Sequence, residues 1–282
     1  MKKEIKYEIK EEFDLVKYLT RCGYAKNKVK TYVRLGYVFV NDQVVKRLPY
    51  LLKCGDVLKI SRDMGSDYSI SIVYEDDYYL VVDKEAGLLT ISTSREKREM
   101  EDTLYKRVRR YLNLKHEYAF IVNRIDRETS GLVIFVKSLE LKEKLQEKWN
   151  EIVKVRGYIA IVRGVIRDKG CIDNYLYEDK RTFTHSTKFG GKRAITEYEP
   201  IRTSSLYTML DVHLKTGRKN QIRVHFSEAG YPILGDKKYY SKDNPLHRLA
   251  LHHYEIAFVD PISHRTFRFS SSVPREFYDL FS

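Results

Sequence analysis

Between two apolar stretches the chain reads Val122-Asn123-Arg124-Ile125-Asp126-Arg127-Glu128-Thr129-Ser130-Gly131-Leu132. This pattern predicts two strands joined by a short polar loop at the edge of a core. In that loop the carboxylate of Asp126 stands beside the guanidiniums of Arg124 and Arg127, which favour its ionised form. An ionised carboxylate suits a nucleophile or a general base. The same residues are also typical of an ion pair that only fixes a loop, and the run alone leaves both interpretations open.

A second polar cluster lies further along the chain, at Leu214-Lys215-Thr216-Gly217-Arg218-Lys219-Asn220-Gln221-Ile222-Arg223-Val224-His225. It is followed by Gly230-Tyr231-Pro232-Ile233-Leu234-Gly235-Asp236. A Thr-Gly-Arg turn at a strand end, before a segment that opens a helix or turn, can bring backbone N–H groups and guanidiniums to an anion. The cluster therefore predicts an anion site with Arg218 and Arg223.

Short alternating strands surround the two clusters. Period-two patterns predict strands at 70–74, 79–83, 118–123, 132–137, 158–162, 207–215, 255–259 and 266–269. Two helical stretches interrupt them, one with Leu104, Val108 and Leu112 on a single face, the other following Ser138. Because no regular alternation of strand and helix runs through this region, we predict an α+β fold with a mixed, mainly antiparallel β-sheet.

The first 62 residues are predicted to form a separate small module. Asp14 can cap a short first helix, and a second helix is predicted from Lys26 to Leu35. A hairpin over 37–45 and a last strand over 57–60 follow. We therefore predict a domain over 1–62, a linker over 63–69 and a larger domain over 70–282.

The charge of the chain is concentrated in this small module. The 282 residues contain 52 Lys and Arg against 39 Asp and Glu, a net charge of +13. Residues 1–62 hold 15 basic and 7 acidic residues, so less than a quarter of the chain carries more than half of the excess. A face without acids is complementary to phosphates, although a solvated lysine-rich helix remains the alternative. This face lies between residues 17 and 34, which contain no acidic residue and six basic ones: Lys17, Arg21, Lys26, Lys28, Lys30 and Arg34.

Several classes of protein and site are disfavoured by the sequence. The longest stretch without a charged residue, 86–94, has nine residues, whereas a membrane-spanning helix needs about 20 apolar ones. No apolar block follows the first basic residues, so we expect no secretory signal and a cytoplasmic location. The three cysteines form no C-x-x-C motif and are expected to be core thiols, and the eight histidines are not spaced as metal ligands.

Two family resemblances cover nearly the whole chain. Residues 13–61 resemble the alpha-L RNA-binding fold found in a small-subunit ribosomal protein, in tyrosyl-tRNA synthetases and in several RNA-modifying enzymes. Residues 70–281 resemble the RluA-type pseudouridine synthases, whose central pattern H-R-L-D-x-x-T-S-G-L matches 123–132. Five further matches occur in the same order. They are 83–88 for N-K-P-x-G-L, 156–160 for K-x-Y-x-A, 192–196 for K-x-A-x-T, 216–225 for T-G-R-x-H-Q-I-R-x-H and 249–252 for A-L-H.

The resemblance implies an isomerase that acts on uridines in RNA. By it, Asp126 is the catalytic carboxylate, Tyr158 the active-site tyrosine and Arg223 the cation that pairs with the aspartate. Arg124 corresponds to the arginine that helps extrude the nucleotide, and Arg218 is expected to contact RNA. The implied reaction needs no cofactor or metal, and we expect a monomer whose partner is RNA, ribosomal rather than transfer, with no membrane.

Departures from the family pattern leave one alternative class open. Asn123 and Asn220 replace histidines that are usual in the family, Arg156 replaces a lysine and Glu85 a proline. None of them removes a residue assigned to chemistry. The alternative is a non-catalytic RNA-binding or ribosome-assembly protein that retains the fold, against which the intact set of aspartate, tyrosine and arginine argues.

Overall fold

The chain folds into two compact units. The computed structural model describes residues 5–34, 36–45, 47–61, 70–92, 102–239, 241 and 243–281. The first unit comprises Met1–Ile70 and Ile91–Glu117, and the second comprises Ser71–Thr90 and Tyr118–Ser282. Within the described ranges no helix is long and apolar enough to cross a membrane.

In its described residues, the first unit combines short strands with three helices. Its elements are β1 (Ile5–Glu8), β2 (Phe13–Asp14), α1 (Leu15–Arg21), α2 (Lys26–Arg34), β3 (Val38–Val40), β4 (Gln43–Val44), β5 (Leu51–Leu52), β6 (Val57–Ile60) and α3 (Leu104–Asn113). A four-stranded sheet has the order β1-β6-β3-β4, and β2 pairs with β5. The apolar faces of α1 and α2 bury Leu15, Leu19 and Val29 against this sheet.

Local sequence signals determine these first elements. The carboxylate of Asp14 accepts a hydrogen bond from the backbone N–H of Lys17 at 2.9 Å and so caps α1, as predicted. Gly36 follows α2 with a φ of +70°, where glycine is favoured. The hairpin between β3 and β4 turns at Asn41 and Asp42, whose φ angles of 50° and 61° these residue types tolerate.

Helix α3 belongs to the first unit, although the small domain predicted from the sequence ended at residue 62. The guanidinium of Arg110 lies over the ring of Tyr37 at 5.0 Å, and the Tyr37 hydroxyl donates to the carbonyl of Arg110 at 3.5 Å. The chain thus leaves the second unit after Thr90 and returns to it at Tyr118. An amphipathic pattern shows that one face is buried but not which core buries it. The predicted linker, 63–69, lies outside the described residues.

The second unit contains a long sheet flanked by short helices. Its elements are β7 (Ser71–Glu75), β8 (Tyr79–Lys84), β9 (Phe120–Ile121), β10 (Ser130–Val136), α4 (Leu139–Glu147), α5 (Trp149–Ile152), β11 (Val153–Arg163), β12 (Gly170–Glu178), β13 (Thr184–Thr187), β14 (Lys192–Thr203), β15 (Tyr207–Leu214), α6 (Gln221–Glu228), β16 (Leu251–Val259), β17 (Thr266–Ser270) and α7 (Arg275–Asp279).

The sheet order confirms the predicted α+β class with a mixed, mainly antiparallel sheet. Its path is β13-β12-β14-β15-β11-β16-β10-β8-β7, with β17 on β16 and β9 on β10. Among the described strand pairs, β10 and β16 are parallel, and the others are antiparallel. Strands β12, β13 and β14 were not predicted. Because most of their side chains remain partly or fully exposed, they lack a clear apolar alternation.

The prediction of buried thiols was wrong. Cys22, Cys54 and Cys171 are all free and exposed. The thiol of Cys54 lies in a turn and donates to the carbonyl of Lys10 at 3.1 Å. Cys54 is exposed because it lies in a surface turn, and Cys171 because it lies on the largely exposed strand β12.

Candidate active site

Sheet topology brings the two polar clusters to one pocket. Asp126 lies in the loop between β9 and β10, Tyr158 on β11 and Arg223 in the first turn of α6. Strand β16 lies between β10 and β11 in the sheet. The three residues line one pocket together with Arg124 and Arg218. All five residues that the sequence placed in this larger domain are therefore brought together.

Arg223 is the cation that contacts Asp126. Its Nη1 lies 3.3 Å from Asp126 Oδ2, while Arg124 and Arg127 are exposed. The loop sequence alone suggested the two adjacent arginines as ionising partners, whereas the family resemblance implied a pair with Arg223, and this contact is present between residues 97 positions apart. The side chain of Asp126 keeps 29% of its surface exposed, so a substrate in the pocket can reach it.

A buried carboxylate holds the Arg223 guanidinium in place. Nε and Nη2 of Arg223 each donate to Asp236 at 2.7 Å, and the Asp236 side chain is fully buried. Burial alone would lower the pKa of Arg223, but the hydrogen bonds and charge of Asp236, followed by Asp126, raise it above its usual range. Asp236 in turn accepts from the backbone N–H groups of Lys238 and Tyr239 at 3.0 Å. The bidentate pair leaves Nη1 free to face Asp126.

A buried lysine supports the loop that carries Asp126. Lys84 at the end of β8 is only 1% exposed, and its Nζ donates to the carbonyls of Glu85 and Leu88 at 2.7 Å and of Arg127 at 3.0 Å. The hydroxyl of Thr90 donates to the carbonyl of Ile125 at 2.6 Å. Both backbone neighbours of Asp126 are thus hydrogen-bonded to side chains from outside the loop.

The end of the same loop lies tightly against β16. Gly131 has a φ of +114°, and a Cβ there would lie 2.2 Å from the carbonyl oxygen of His253. Only glycine permits this approach. One residue earlier, Ser130 Oγ lies 2.8 Å from Nδ1 of His252.

Tyr158 lies in the pocket as a neutral, stacked ring. It is stacked on His253 with ring centroids 4.4 Å apart and an interplanar angle of 16°. Burial raises the pKa of Tyr158 above its usual range; Arg156 lowers it and Asp126 raises it further. The phenol is therefore neutral at physiological pH.

The predicted RNA-binding residues of the small module lie in the first unit. Lys17, Arg21 and the three lysines of α2 are exposed. The guanidinium of Arg21 lies over the ring of Phe13 at 4.3 Å, and Lys28 Nζ lies 5.7 Å from the ring centroid of Tyr32. Arg34 ends α2, but its side chain lies outside the described residues. In the second unit, Arg218 Nε donates to the carbonyl of Arg193 at 2.9 Å.

Three residues of this site were quoted in sequence motifs without a role. Lys84 stands between Asp83 and Glu85, and Asp236 directly precedes two lysines, so the neighbouring residues gave no signal that either side chain is buried. Asn220 appeared only as a departure from the family pattern. For metal binding, the described residues contain no group of three or more His, Cys, Asp or Glu placed to hold an ion.

Three buried histidines around the site predict an acid-sensitive second unit. Burial lowers the pKa of His225, His252 and His253 to about 4. In an unfolded chain each histidine would have a pKa of about 6.5. As pH falls from there to about 4, the unfolded state binds protons that the folded state does not, so the free energy of unfolding decreases.

This dependence can be measured through Trp149, the one tryptophan of the chain, whose ring centroid lies 6.1 Å from that of Phe258 in the second unit. We expect the urea midpoint of its fluorescence to fall between pH 7 and pH 5. His225→Asn should flatten the slope of the midpoint against pH. His264→Asn, at an exposed turn, should leave the slope unchanged. A midpoint that did not change with pH would contradict the prediction.

Comparisons with known proteins agree with this geometry. The family model described as RNA pseudouridylate synthase matches residues 78–228, more than half of the chain. Ribosomal large subunit pseudouridine synthase D of Neisseria meningitidis is 29% identical over 286 residues, 92% of this chain and 75% of that protein. tRNA pseudouridine synthase C of Vibrio parahaemolyticus is 28% identical over 235 residues, 76% of this chain and 94% of that protein.

A solved structure shares the fold. Human RNA Pseudouridylate Synthase Domain Containing 1 superposes with a TM-score of 0.62 at 20% identity, over 78% of this chain and 89% of that one. The family match spans the loop of Asp126, β11 with Tyr158 and the helix of Arg223. The chain therefore belongs to the RNA pseudouridylate synthase family, among its RluA-type members.

Proposed function

We propose that the protein isomerises specific uridines in structured RNA to pseudouridine, with Asp126 as the catalytic carboxylate. The observation that carries this proposal is the pocket in which Asp126, its ion pair with Arg223, and Tyr158 meet. The reaction breaks the N1–C1′ glycosidic bond, turns the uracil and forms a C5–C1′ bond. It requires no net oxidation, so a carboxylate, a base and an enclosing pocket suffice.

In this proposal the ion pair with Arg223 holds the Asp126 carboxylate in place in the pocket. Arg223 is fixed by Asp236 on its far side and presents Nη1 to Asp126. A cation held this way favours the ionised carboxylate without moving during the reaction. The partial exposure of Asp126 leaves it open to the ribose or the base of a bound nucleotide.

Tyr158 and Arg124 would act on a uridine that has left the RNA stack. A stacked base is out of reach, so an enzyme that changes a base takes it out of the helix. The neutral ring of Tyr158 can stack on the loose uracil and retain it in the pocket while the base turns. Arg124, exposed at the pocket, can fill the space that the nucleotide vacates.

The first unit is proposed to anchor the RNA through an alpha-L type module. Its exposed cations Lys17, Arg21, Lys26, Lys28 and Lys30 can contact phosphates, and Arg34 belongs to the same run. Relatives named for ribosomal large subunit RNA make ribosomal RNA the favoured substrate, with transfer RNA second. We propose a monomer that works in the cytoplasm without a cofactor.

Two measurements test the proposal directly. Pseudouridines are mapped in total RNA from cells with and without the protein, and one or more ribosomal positions should lose the modification in its absence. The purified protein should release tritium from the unmodified RNA labelled at C5 of uridine. An identical pseudouridine map together with no tritium release would refute the proposal.

The basic face of α2 can be tested separately from the chemistry. Replacing Lys26, Lys28 and Lys30 by Ala should weaken RNA binding and reduce the slope of log affinity against log salt by about one for each lost phosphate contact. Exposed lysines on the second unit, such as Lys169 and Lys237, provide a matched control when replaced by Ala. Unchanged affinity and slope would mean that α2 carries only a solvated face.

A further inference from the structure

Asn220 occupies a special backbone position next to the candidate carboxylate. It precedes α6 with a φ of +54°, and it is 7% exposed. Asn, Asp and His are the residues that adopt this left-handed conformation most readily after glycine. The RluA-type pattern has a histidine here, so the position is occupied in both cases by a residue with a side-chain N–H donor.

Hydrogen-bond matching determines how the Asn220 amide is oriented. With its nitrogen toward Asp126, the amide donates to Oδ2 at 2.7 Å and lies 3.3 Å from Oδ1. Its oxygen then accepts from Lys238 Nζ at 3.0 Å and from the Tyr239 hydroxyl at 3.1 Å. In the reverse orientation the amide oxygen would face the carboxylate oxygens and the amide nitrogen would face an ammonium. That orientation would keep a bond from Arg223 Nη1 to the amide oxygen at 3.4 Å and one from the amide nitrogen to the Tyr239 hydroxyl at 3.1 Å, but its contacts with the carboxylate and the ammonium would each lack a donor or an acceptor.

Lys238 is itself held at the outer end of this chain of hydrogen bonds. Its Nζ also donates to the carbonyl of Thr182 at 3.0 Å and lies 4.8 Å from the ring centroid of Phe183. A cation that donates to the amide oxygen polarises the amide and strengthens the N–H that it presents to Asp126. The contacts therefore run from the ammonium of Lys238 through Asn220 to the carboxylate.

We propose that Asn220 is a positioning residue for the isomerisation, which donates to the Asp126 carboxylate and holds it in one orientation with the support of Lys238. The inference rests on the proposed role of Asp126. Arg223 contacts the carboxylate at 3.3 Å, longer than the 2.7 Å of the Asn220 bond, so the amide makes the shorter contact of the two. A hydrogen bond to the charged form of a carboxylate favours that form.

The dependence of kcat on pH separates a positioning role from a purely structural one. The part to compare is the acid limb, where kcat falls as the pH is lowered. Several charged or titratable groups act on Asp126 or share its pocket, and each stays unchanged in the Asn220 variants. They are Arg223 from α6, Lys238 after it, Tyr158 from β11, Lys84 from β8, and Arg124 and Arg218 at the pocket wall. A change in the limb is therefore attributable to residue 220.

Asn220→Asp and Asn220→His are compared because both fit the positive φ. The aspartate places a second carboxylate against Asp126, so the two share a proton. We expect the acid limb of kcat to move up by about one pH unit or more and kcat at pH 7 to fall at least about tenfold. The KM for RNA labelled with tritium at C5 of uridine should stay the same. The histidine variant restores a donor and should retain most of the rate.

Lys238→Met, with Lys237→Met as its exposed neighbour control, tests the outer end of the chain. The first should move the acid limb in the same direction by a smaller amount, and the second should not move it. Trp149 fluorescence reports whether each variant is folded.

The inference is overturned if the acid limb of kcat in Asn220→Asp coincides with that of the wild type while Asp126→Asn is inactive. Active Asp126→Asn protein would instead overturn the proposed function, and the role of Asn220 with it. Loss of rate in Asn220→His equal to that in Asn220→Asp would also count against a donor role.

Discussion

Asp126→Asn is expected to abolish isomerisation while leaving the fold and RNA binding intact. The amide cannot act as a nucleophile or a base, and it no longer attracts the Arg223 guanidinium as an anion does. Removing a group that performs the chemistry typically lowers kcat by on the order of 10⁴-fold or more. Tritium release from RNA labelled at C5 of uridine measures the loss, because the C5 proton is displaced in every turnover.

Glu128→Gln provides the matched control for Asp126→Asn. Glu128 lies in the same loop, is exposed, and loses one negative charge in the same way. It should keep the wild-type rate, because it does not line the pocket. If the Asp126→Asn protein, folded and bound to RNA, still released tritium at a comparable rate, another group would have to perform the chemistry.

Asp236→Ala should cause the largest loss of stability among substitutions in the second unit that remove a single charge. The side chain of Asp236 is fully buried and makes both strong hydrogen bonds to Arg223. Its removal leaves a buried guanidinium with Asp126 as its remaining carboxylate contact. Breaking one side of a buried ion pair costs about 3–5 kcal/mol in the free energy of unfolding. The midpoint and slope of urea unfolding, followed by Trp149 fluorescence, measure this loss for the second unit.

Two further variants separate the ion pair from simple loss of a side chain. Asp168→Ala removes an exposed carboxylate and should change the free energy of unfolding by less than about 0.5 kcal/mol. The double variant Arg223→Met, Asp236→Leu removes both charges and should be more stable than Asp236→Ala alone, since no buried charge is left unpaired. It should still be inactive. A small loss in Asp236→Ala, or no recovery in the double variant, would contradict the account of the pair.

The structure shows that the basic residues of the chain lie in two different surroundings. The exposed cations of the first unit are suited to phosphates, while Arg223 and Lys84 of the second unit are buried and serve the loop of Asp126. A basic composition thus covers two kinds of cation with different surroundings. Solvated cations contribute to salt-dependent binding, whereas buried ones fix backbone and side-chain geometry.

The sequence alone determined the features that depend on near neighbours. The cap at Asp14, the turn at Asn41 and Asp42 and the antiparallel character of the strands were all predicted, and the structure shows each of them. Capping and turn formation use hydrogen bonds and backbone angles within a few residues. Motif matches to the family also predicted that Asp126, Tyr158 and Arg223 belong to one site.

Only the tertiary structure decided which distant groups meet. It assigned α3 to the first unit, placed the Arg223 guanidinium between Asp126 and the buried Asp236, and placed Lys84 against the loop of Asp126. These outcomes depend on strand order and on burial, which bring together residues up to 97 positions apart in the ion pair. Hydrophobic periodicity carries no information about such partners, because it records that a face is covered but not what covers it.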